Sequence, residues 1–398
     1  MLPFIPLLRT LWRGKQSERW PEMKQVLANG LAEVAQRLNQ PSSALRQVYS
    51  QHLANPQPPP LFQMATGYWI SQAIYVAAKL GIADCFRNGP KSCSELADLT
   101  ESDELALSRL MRALASVGIF TMNRDGRFDL APMGSALQTG IPGSLRYMVI
   151  TLGELHYQAW GNLLYSVKTG ATAFDNMFGT KLFQHLKQNG DAGNTFHNAM
   201  TDFSALVSYA VLLAYDFSEI HTLVDVGGGH GQFLRTVLQI NPQITGILFD
   251  EQSVIEHAKE HINGDASTGR CSLVAGDFFK SVPAGADAYV LCGVIHDWDD
   301  DHSIAILSNC HRAMSDASRL LIVESVVPTG NQTCFSKFLD LNMMIMSGGR
   351  ERSRDEFCTL FAAAGLELTG IFPTAAPLSV IECTRKRGPA KEVQVACV

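Results

Sequence analysis

From residue 220 onward, short apolar runs alternate with longer amphipathic stretches. The runs cover 222–226, 244–249, 271–275, 287–292 and 319–324, with a C-terminal pair near 366–371 and 378–384. Apolar runs of this length, separated by helix-length segments, predict βαβ units. Repeated, such units build a parallel, doubly wound α/β sheet, here with an antiparallel end. Upstream the pattern differs. Leu61 to Leu80 reads as one helix, apolar on nearly every side (Tyr68, Trp69, Ile70, Ala73, Ile74, Val76, Ala77), though it carries Gln63 and Gln72. Burial between subunits would account for so apolar a helix. Residues 92–97 read as a short helix capped by Ser92 with Glu95 three places on. Residues 102–117 follow as a second helix with Leu105, Leu107, Leu110, Met111, Leu114 and Val117 on one face. Phe120–Met122 and Arg127–Leu130 then flank the turn Asn123-Arg-Asp-Gly126, a hairpin. Residues 143–215 are mostly helical and rich in aromatics and methionine. Residues 16–53 read as helix, and 55–60 as a stiff proline linker.

These patterns divide the chain into a 1–60 extension, a 61–142 domain, a 143–215 connector and a 216–388 α/β domain. The helix, helix, two-stranded wing of 61–142 has a winged-helix-like outline, which serves either DNA binding or protein–protein contact. Its second helix begins Ser102-Asp-Glu, acidic where a groove-reading helix should be basic. With a net charge of −6, this argues for a protein–protein platform and against a nucleic-acid partner. Hydrophobic residues at 46% over 398 positions suffice for two or three domains with a substantial core. Nine cysteines without a Cys-x-x-Cys pair fit reduced thiols and a cytoplasmic setting. The apolar N-terminus is cut off by Arg9 and Arg13, so it is too short for a membrane span and lacks a signal-peptide layout.

In an open α/β sheet, ligands bind beyond the carboxyl ends of the strands. The first run ends in Asp225-Val-Gly-Gly-Gly-His-Gly231. A dinucleotide fingerprint, Gly-x-Gly-x-x-Gly, would place its third glycine at position 232, where Gln232 stands; no Gly-Lys-Ser/Thr cradle is present either. The turn with Asp225, Gly227, Gly229 and Gly231 therefore suits S-adenosylmethionine (SAM), whose amino-acid end needs acid and backbone partners. Asp250, closing the second run, suits the ribose hydroxyls. Asp277 and Phe278, after the third, suit the adenine amino group and ring. The fourth run leads into Cys292-Gly-Val-Ile-His296-Asp-Trp-Asp-Asp300, and the fifth ends at Glu324. His296 can take a proton from a phenol or hydroxyl as its oxygen attacks an electrophilic methyl group. Glu324, or Glu351 in Gly348-Gly-Arg-Glu-Arg352, would hold the other ring nitrogen. No metal is expected: the adjacent Asp297, Asp299, Asp300, Asp301 and His302 cannot all face one ion.

Over residues 61–385 the chain resembles the class I SAM-dependent small-molecule O-methyltransferases of the plant caffeic-acid and bacterial secondary-metabolite type. The resemblance rests on Asp225–Gly231, Phe249-Asp250, Gly276–Phe279, Ala286–Leu291, His296–Asp299, Val323-Glu324 and Gly348–Ser353, in that order. It implies a homodimer in which both subunits shape the pocket for a small-molecule substrate. It implies SAM on the glycine turn, and His296 as general base flanked by Glu324 and Glu351. Ser204, Phe196 and Met200 match a segment lining methyl donor and acceptor. Trp160, Met344 and Met346 match pocket wall, and Trp298 and Cys292 fall at the cofactor side. Cys292 stands where many relatives carry a lysine or arginine. Some proteins of this scaffold bind SAM yet catalyse decarboxylation, hydroxylation or pericyclic rearrangement. Those typically lose the histidine-based dyad, which this chain retains, so methyl transfer to a phenolic or polyketide-like acceptor is the expected reaction.

Overall fold

The computed structural model describes residues 59–262 and 268–386, and readings made on residues 1–58 and 387–398 lie outside them. Contacts divide the chain into two units, residues 1–67 and 68–398. Within the first, Pro60–Ala65 forms a short helix, α1, with proline at its first turn, where the missing N–H costs nothing. The single helix expected over 61–80 is two. The Thr66 hydroxyl turns back to donate to the Phe62 carbonyl at 2.8 Å, and the helix restarts only at Tyr68.

The second unit opens with α2 (Tyr68–Lys79), α3 (Cys93–Thr100) and α4 (Glu104–Ser116). Ser92 and Glu95 cap α3 reciprocally, side chain to backbone in both directions, an arrangement worth about 1 kcal/mol. Asp103 caps α4. The wing follows as β1 (Phe120–Met122) antiparallel to β2 (Phe128–Leu130), its turn closed by Asn123 Oδ1, which accepts from the N–H groups of Asp125 and Arg127. Ala77, Ile82, Phe86, Leu96, Leu107, Met111, Leu114, Phe120 and Phe128 form its core.

Next come α5 (Arg146–Thr151), α6 (Tyr157–Gly161), α7 (Leu163–Thr169), α8 (Ala173–Phe178), α9 (Leu182–Gln188) and the long α10 (Gly190–Ala214). Between α5 and α6, Leu152–His156 widens into a π-turn, a feature often found at functional sites. Its Gly153 lies so close to the Tyr75 ring of α2 that a Cβ there would overlap the ring. Glu154 accepts from the Tyr75 hydroxyl at 3.1 Å and pairs with Lys79 at 2.5 Å.

The sheet contains seven strands: β3 (Thr222–Val226), β4 (Thr245–Asp250), β5 (Cys271–Ala275), β6 (Ala288–Cys292), β7 (Arg319–Glu324), β8 (Leu366–Pro373) and β9 (Ser379–Arg385). Their order is β5-β4-β3-β6-β7-β9-β8; β9 alone runs against the others, antiparallel both to β7 and to the edge strand β8. The apolar runs were legible because both faces are covered. Leu223, Leu248, Val290, Leu321 and Val323 face one side with Val207 and Val211 of α10 and with α11 (Gln232–Ile240). Val224, Val226, Tyr289, Leu291, Leu320 and Ile322 face the other with α13 (Asp300–Ala313) and α15 (Arg354–Ala363). Between them in sequence lie α12 (Gln252–Ile262) and α14 (Phe335–Met346). The chain runs from β3 outward to β4 and β5, then crosses to β6 on the other side of β3. The strand order therefore reverses at β3, the place where such sheets open a crevice.

Candidate active site

The glycine turn leaves β3 at that crevice. Gly227, Gly229 and Gly231 have φ of 70°, 59° and 77°, values that side-chain-bearing residues rarely adopt. A Cβ on Gly227 would meet Val294 at 3.0 Å and the Phe278 ring at 3.5 Å, and one on Gly228 would lie 2.6 Å from the Asp225 carboxyl. Asp225 is wholly buried, and among the described residues neither carboxylate oxygen has a hydrogen-bond partner. Burial, then the neighbouring charge of Asp250, push its pKa up to about 7. A buried acid without a partner is costly, and a cation seated on the turn would relieve that cost. The amino group of an amino acid fits this demand, and a phosphate does not.

Asp250 Oδ2 accepts the Gly229 N–H at 2.8 Å, so the end of β4 braces the turn. An open groove lined by Glu251, Gln252, Ser253, Gly276, Asp277 and Lys280 runs beside it. Asp277 accepts the Phe279 N–H and pairs with Lys280 at 3.0 Å. Phe278 meets the Trp298 ring edge-on at 6.1 Å, which brings together two residues expected from sequence on the cofactor side. Cys292, last in β6, is half-buried; desolvation, then Asp225 and Glu324, hold its thiol far above the ordinary range, so it stays neutral.

His296 sits in a single 3₁₀ turn, Ile295–Asp297, after β6. Its Nδ1 lies 2.9 Å from Glu351 Oε1. Glu324 does not reach the ring as expected; its Oε1 accepts the backbone N–H of His296 at 3.0 Å. The difference follows from register: Glu324 ends β7 beside the chain entering the turn, whereas Glu351 arrives on the loop that crosses it. Glu324 Oε2 and Glu351 Oε2 are buried without partners among the described residues. The donor atoms of His296, Glu324 and Glu351 lie within 4.8 Å of one another. Burial alone would lower the imidazole pKa. The bond to Glu351 and the charges of Glu324, Asp297 and Glu351 outweigh it and hold it near 10. Burial raises Glu324 to about 7 and also raises Asp297.

The residues matched to the pocket are half-buried around one cluster: Trp160, Phe196 and Met344 pack against Leu155, Phe174, Ile345 and Met346. Met346 itself is core, at 2% exposure. Phe196, Met200 and Ser204 recur every four residues along α10 and share a face. That segment lies next to the glycine turn, because the His197 and His230 rings are 5.7 Å apart. Asn342 was not foreseen. Its Oδ1 receives the Trp160 indole N–H at 3.1 Å and lies 2.9 Å from His156 Nδ1. Because an indole can only donate, this fixes which way the Asn342 amide faces. Burial lowers the pKa of His156, which keeps it neutral.

A family model described as the O-methyltransferase domain matches residues 160–367, and one for the O-methyltransferase dimerisation domain matches 62–140. The chain belongs to the O-methyltransferase family. It is 45% identical over 322 residues to phenazine O-methyltransferase PhzM of Lysobacter antibioticus, covering 81% of this chain and 94% of that one. The solved structure of LaPhzM superposes with a TM-score of 0.77 at 44% identity, covering 82% and 98%. CalO1, a methyltransferase of calicheamicin biosynthesis solved with S-adenosylhomocysteine (SAH), gives a TM-score of 0.75 at 31% identity, covering 87% and 100%. The protein is thus a SAM-dependent O-methyltransferase of the bacterial secondary-metabolite type, with the family's dimerisation domain ahead of its catalytic sheet. Among the described residues of this O-methyltransferase, no helix is long and apolar enough to cross a membrane.

Proposed function

We propose that this O-methyltransferase methylates a hydroxyl of a small aromatic or polyketide-like metabolite, with His296 as general base and no metal. The observation that carries this is the 2.9 Å contact between His296 Nδ1 and the buried Glu351. It fixes the ring and stabilises its charged form, while Nε2 makes no hydrogen bond among the described residues. In its neutral form an imidazole held through Nδ1 in this way presents Nε2 as a proton acceptor, so turnover should climb as pH approaches the raised pKa.

Asp225, the glycine turn and Asp250 would hold SAM, with Phe278 and Trp298 at the adenine side. When bound, SAM supplies an electrophilic methyl group on a positively charged sulfur. Phe196, Met200, Trp160 and Met344 would press a flat acceptor against the site. Such positioning can contribute up to ~7–11 kcal/mol in well-aligned systems, and His296 would remove the hydroxyl proton. Incubating the purified protein with methyl-labelled SAM and a panel of phenols and hydroxylated polycyclic aromatics tests the reading. Label is expected in an O-methyl product; a rearranged or decarboxylated product without label would defeat it.

The charges imply a pH dependence. Asp225 and Glu324 have raised pKa values, so the folded, cofactor-free protein keeps protons that the unfolded chain releases. Their contribution to stability is present below about pH 4 and is lost as pH rises through about 7. His296 contributes below its ordinary value near 6.5, and this is lost as pH rises through about 10. The melting temperature of the cofactor-free protein should therefore fall between about pH 6 and about pH 9. Saturating SAM, with its two cations, should flatten that fall, so that its thermal shift grows with pH. A shift independent of pH would show that these acids are not coupled to the cofactor.

A further inference from the structure

Arg352 is 1% exposed, although it belongs to a strongly charged segment of sequence. Its guanidinium reaches none of the catalytic side chains, and all its bonds go to the segment that carries His296. Nη1 donates to the Ile295 carbonyl at 3.1 Å, and Nη2 to the Trp298 carbonyl at 2.9 Å. Nε and Nη2 both reach Asp300 Oδ1, at 3.1 and 2.8 Å, and Nη2 also reaches Ser303 Oγ at 3.2 Å. The fork therefore closes on both sides of His296, one residue before it and two after. Its backbone does a second job. The Arg352 carbonyl accepts the Val327 N–H at 2.9 Å, and Val326 and Arg352 pair as an isolated bridge, which ties the loop to the segment leaving Glu324. Next to it, the Arg350 N–H donates to the His296 carbonyl at 2.8 Å. Gly349 passes so close to that carbonyl that a Cβ would overlap it.

We propose that Arg352 is the positioning residue of this site, locking the loops of His296, Glu324 and Glu351 into one register. The proposal rests on the reading of His296 as base. A lysine has the charge but a single ammonium, so it cannot serve two carbonyls, a carboxylate and a hydroxyl at once. The contact that should give way is the one between His296 and Glu351. Because that contact helps hold the imidazole pKa up, loosening it should move the acid limb of the kcat–pH profile to lower pH.

The test compares wild type, Arg352→Lys and His296→Gln as full-length protein. It measures kcat, KM for SAM, the kcat–pH profile, and SAH binding by calorimetry. Arg352→Lys is expected to lower kcat about 10- to 100-fold, to leave SAH affinity within about twofold, and to shift the acid limb downward. A purely structural role would lower kcat and SAH affinity together and leave the limb in place. Asp300→Asn is the second variant, since its carboxylate is half exposed and the fold should survive its loss; it should give the same limb shift with a smaller loss. Wild-type kcat and limb in Arg352→Lys would overturn the proposal, as they would in Asp300→Asn should the lysine variant not fold. The base reading fails separately, on full turnover by His296→Gln.

Discussion

Exchanging His296 for glutamine is expected to lower kcat by about 10²–10⁴-fold while the affinity for SAM changes little. Glutamine is similar in reach and can still accept a bond from the acceptor hydroxyl, but it cannot take the proton. The backbone N–H that Glu324 accepts is retained, so the turn should keep its place. Steady-state kinetics with SAH calorimetry alongside will check this. Full turnover would remove His296 from the mechanism, and a parallel loss of SAH affinity would mean that the loop itself had collapsed. The loss should be smallest for the most acidic phenols, which reach the site already ionised and do not need the base.

Asp225→Asn should have the second-largest effect, and it has two opposite parts. Removing the charge from a buried pair costs about 2–5 kcal/mol, so SAM affinity should weaken at least ~30-fold. The cofactor-free protein, by contrast, should melt higher than wild type near pH 8, because it no longer buries a carboxylate that has no partner among the described residues. Calorimetry and thermal melts read the two parts independently. Unchanged affinity would place the amino group of SAM elsewhere, and a lower melting point would show that Asp225 braces the turn by structure alone.

The strands and the glycine turn were legible in the sequence because burial on both faces leaves continuous apolar runs, and because glycines at 227, 229 and 231 mark a backbone path open to few other residues. His296 was legible from its place at a strand end. What escaped depends on register and distance. Whether Glu324 or Glu351 meets the ring turns on how two strand-end loops cross. Asn342 and His156 meet although they lie 186 residues apart. Arg352 is hidden in Arg350-Glu-Arg-Ser-Arg-Asp-Glu356, which reads as a solvated charge run. The apolar stretch over 61–80 concealed a break, since periodicity does not register a threonine that bonds back to its own helix.

The π-turn has two attachments. On one side Gly153 and Glu154 grip Tyr75 and Lys79 of α2; three residues on, His156 sits against Asn342, beside the aromatic wall. In the single chain α2 leaves Tyr68, Trp69 and Ile70 about half exposed, surface that a second subunit would cover. A lone protomer would therefore lose the rigid backing behind its aromatic wall, with the cofactor turn untouched. Dilution should first blur the choice among acceptors and only later cost the enzyme its methyl donor.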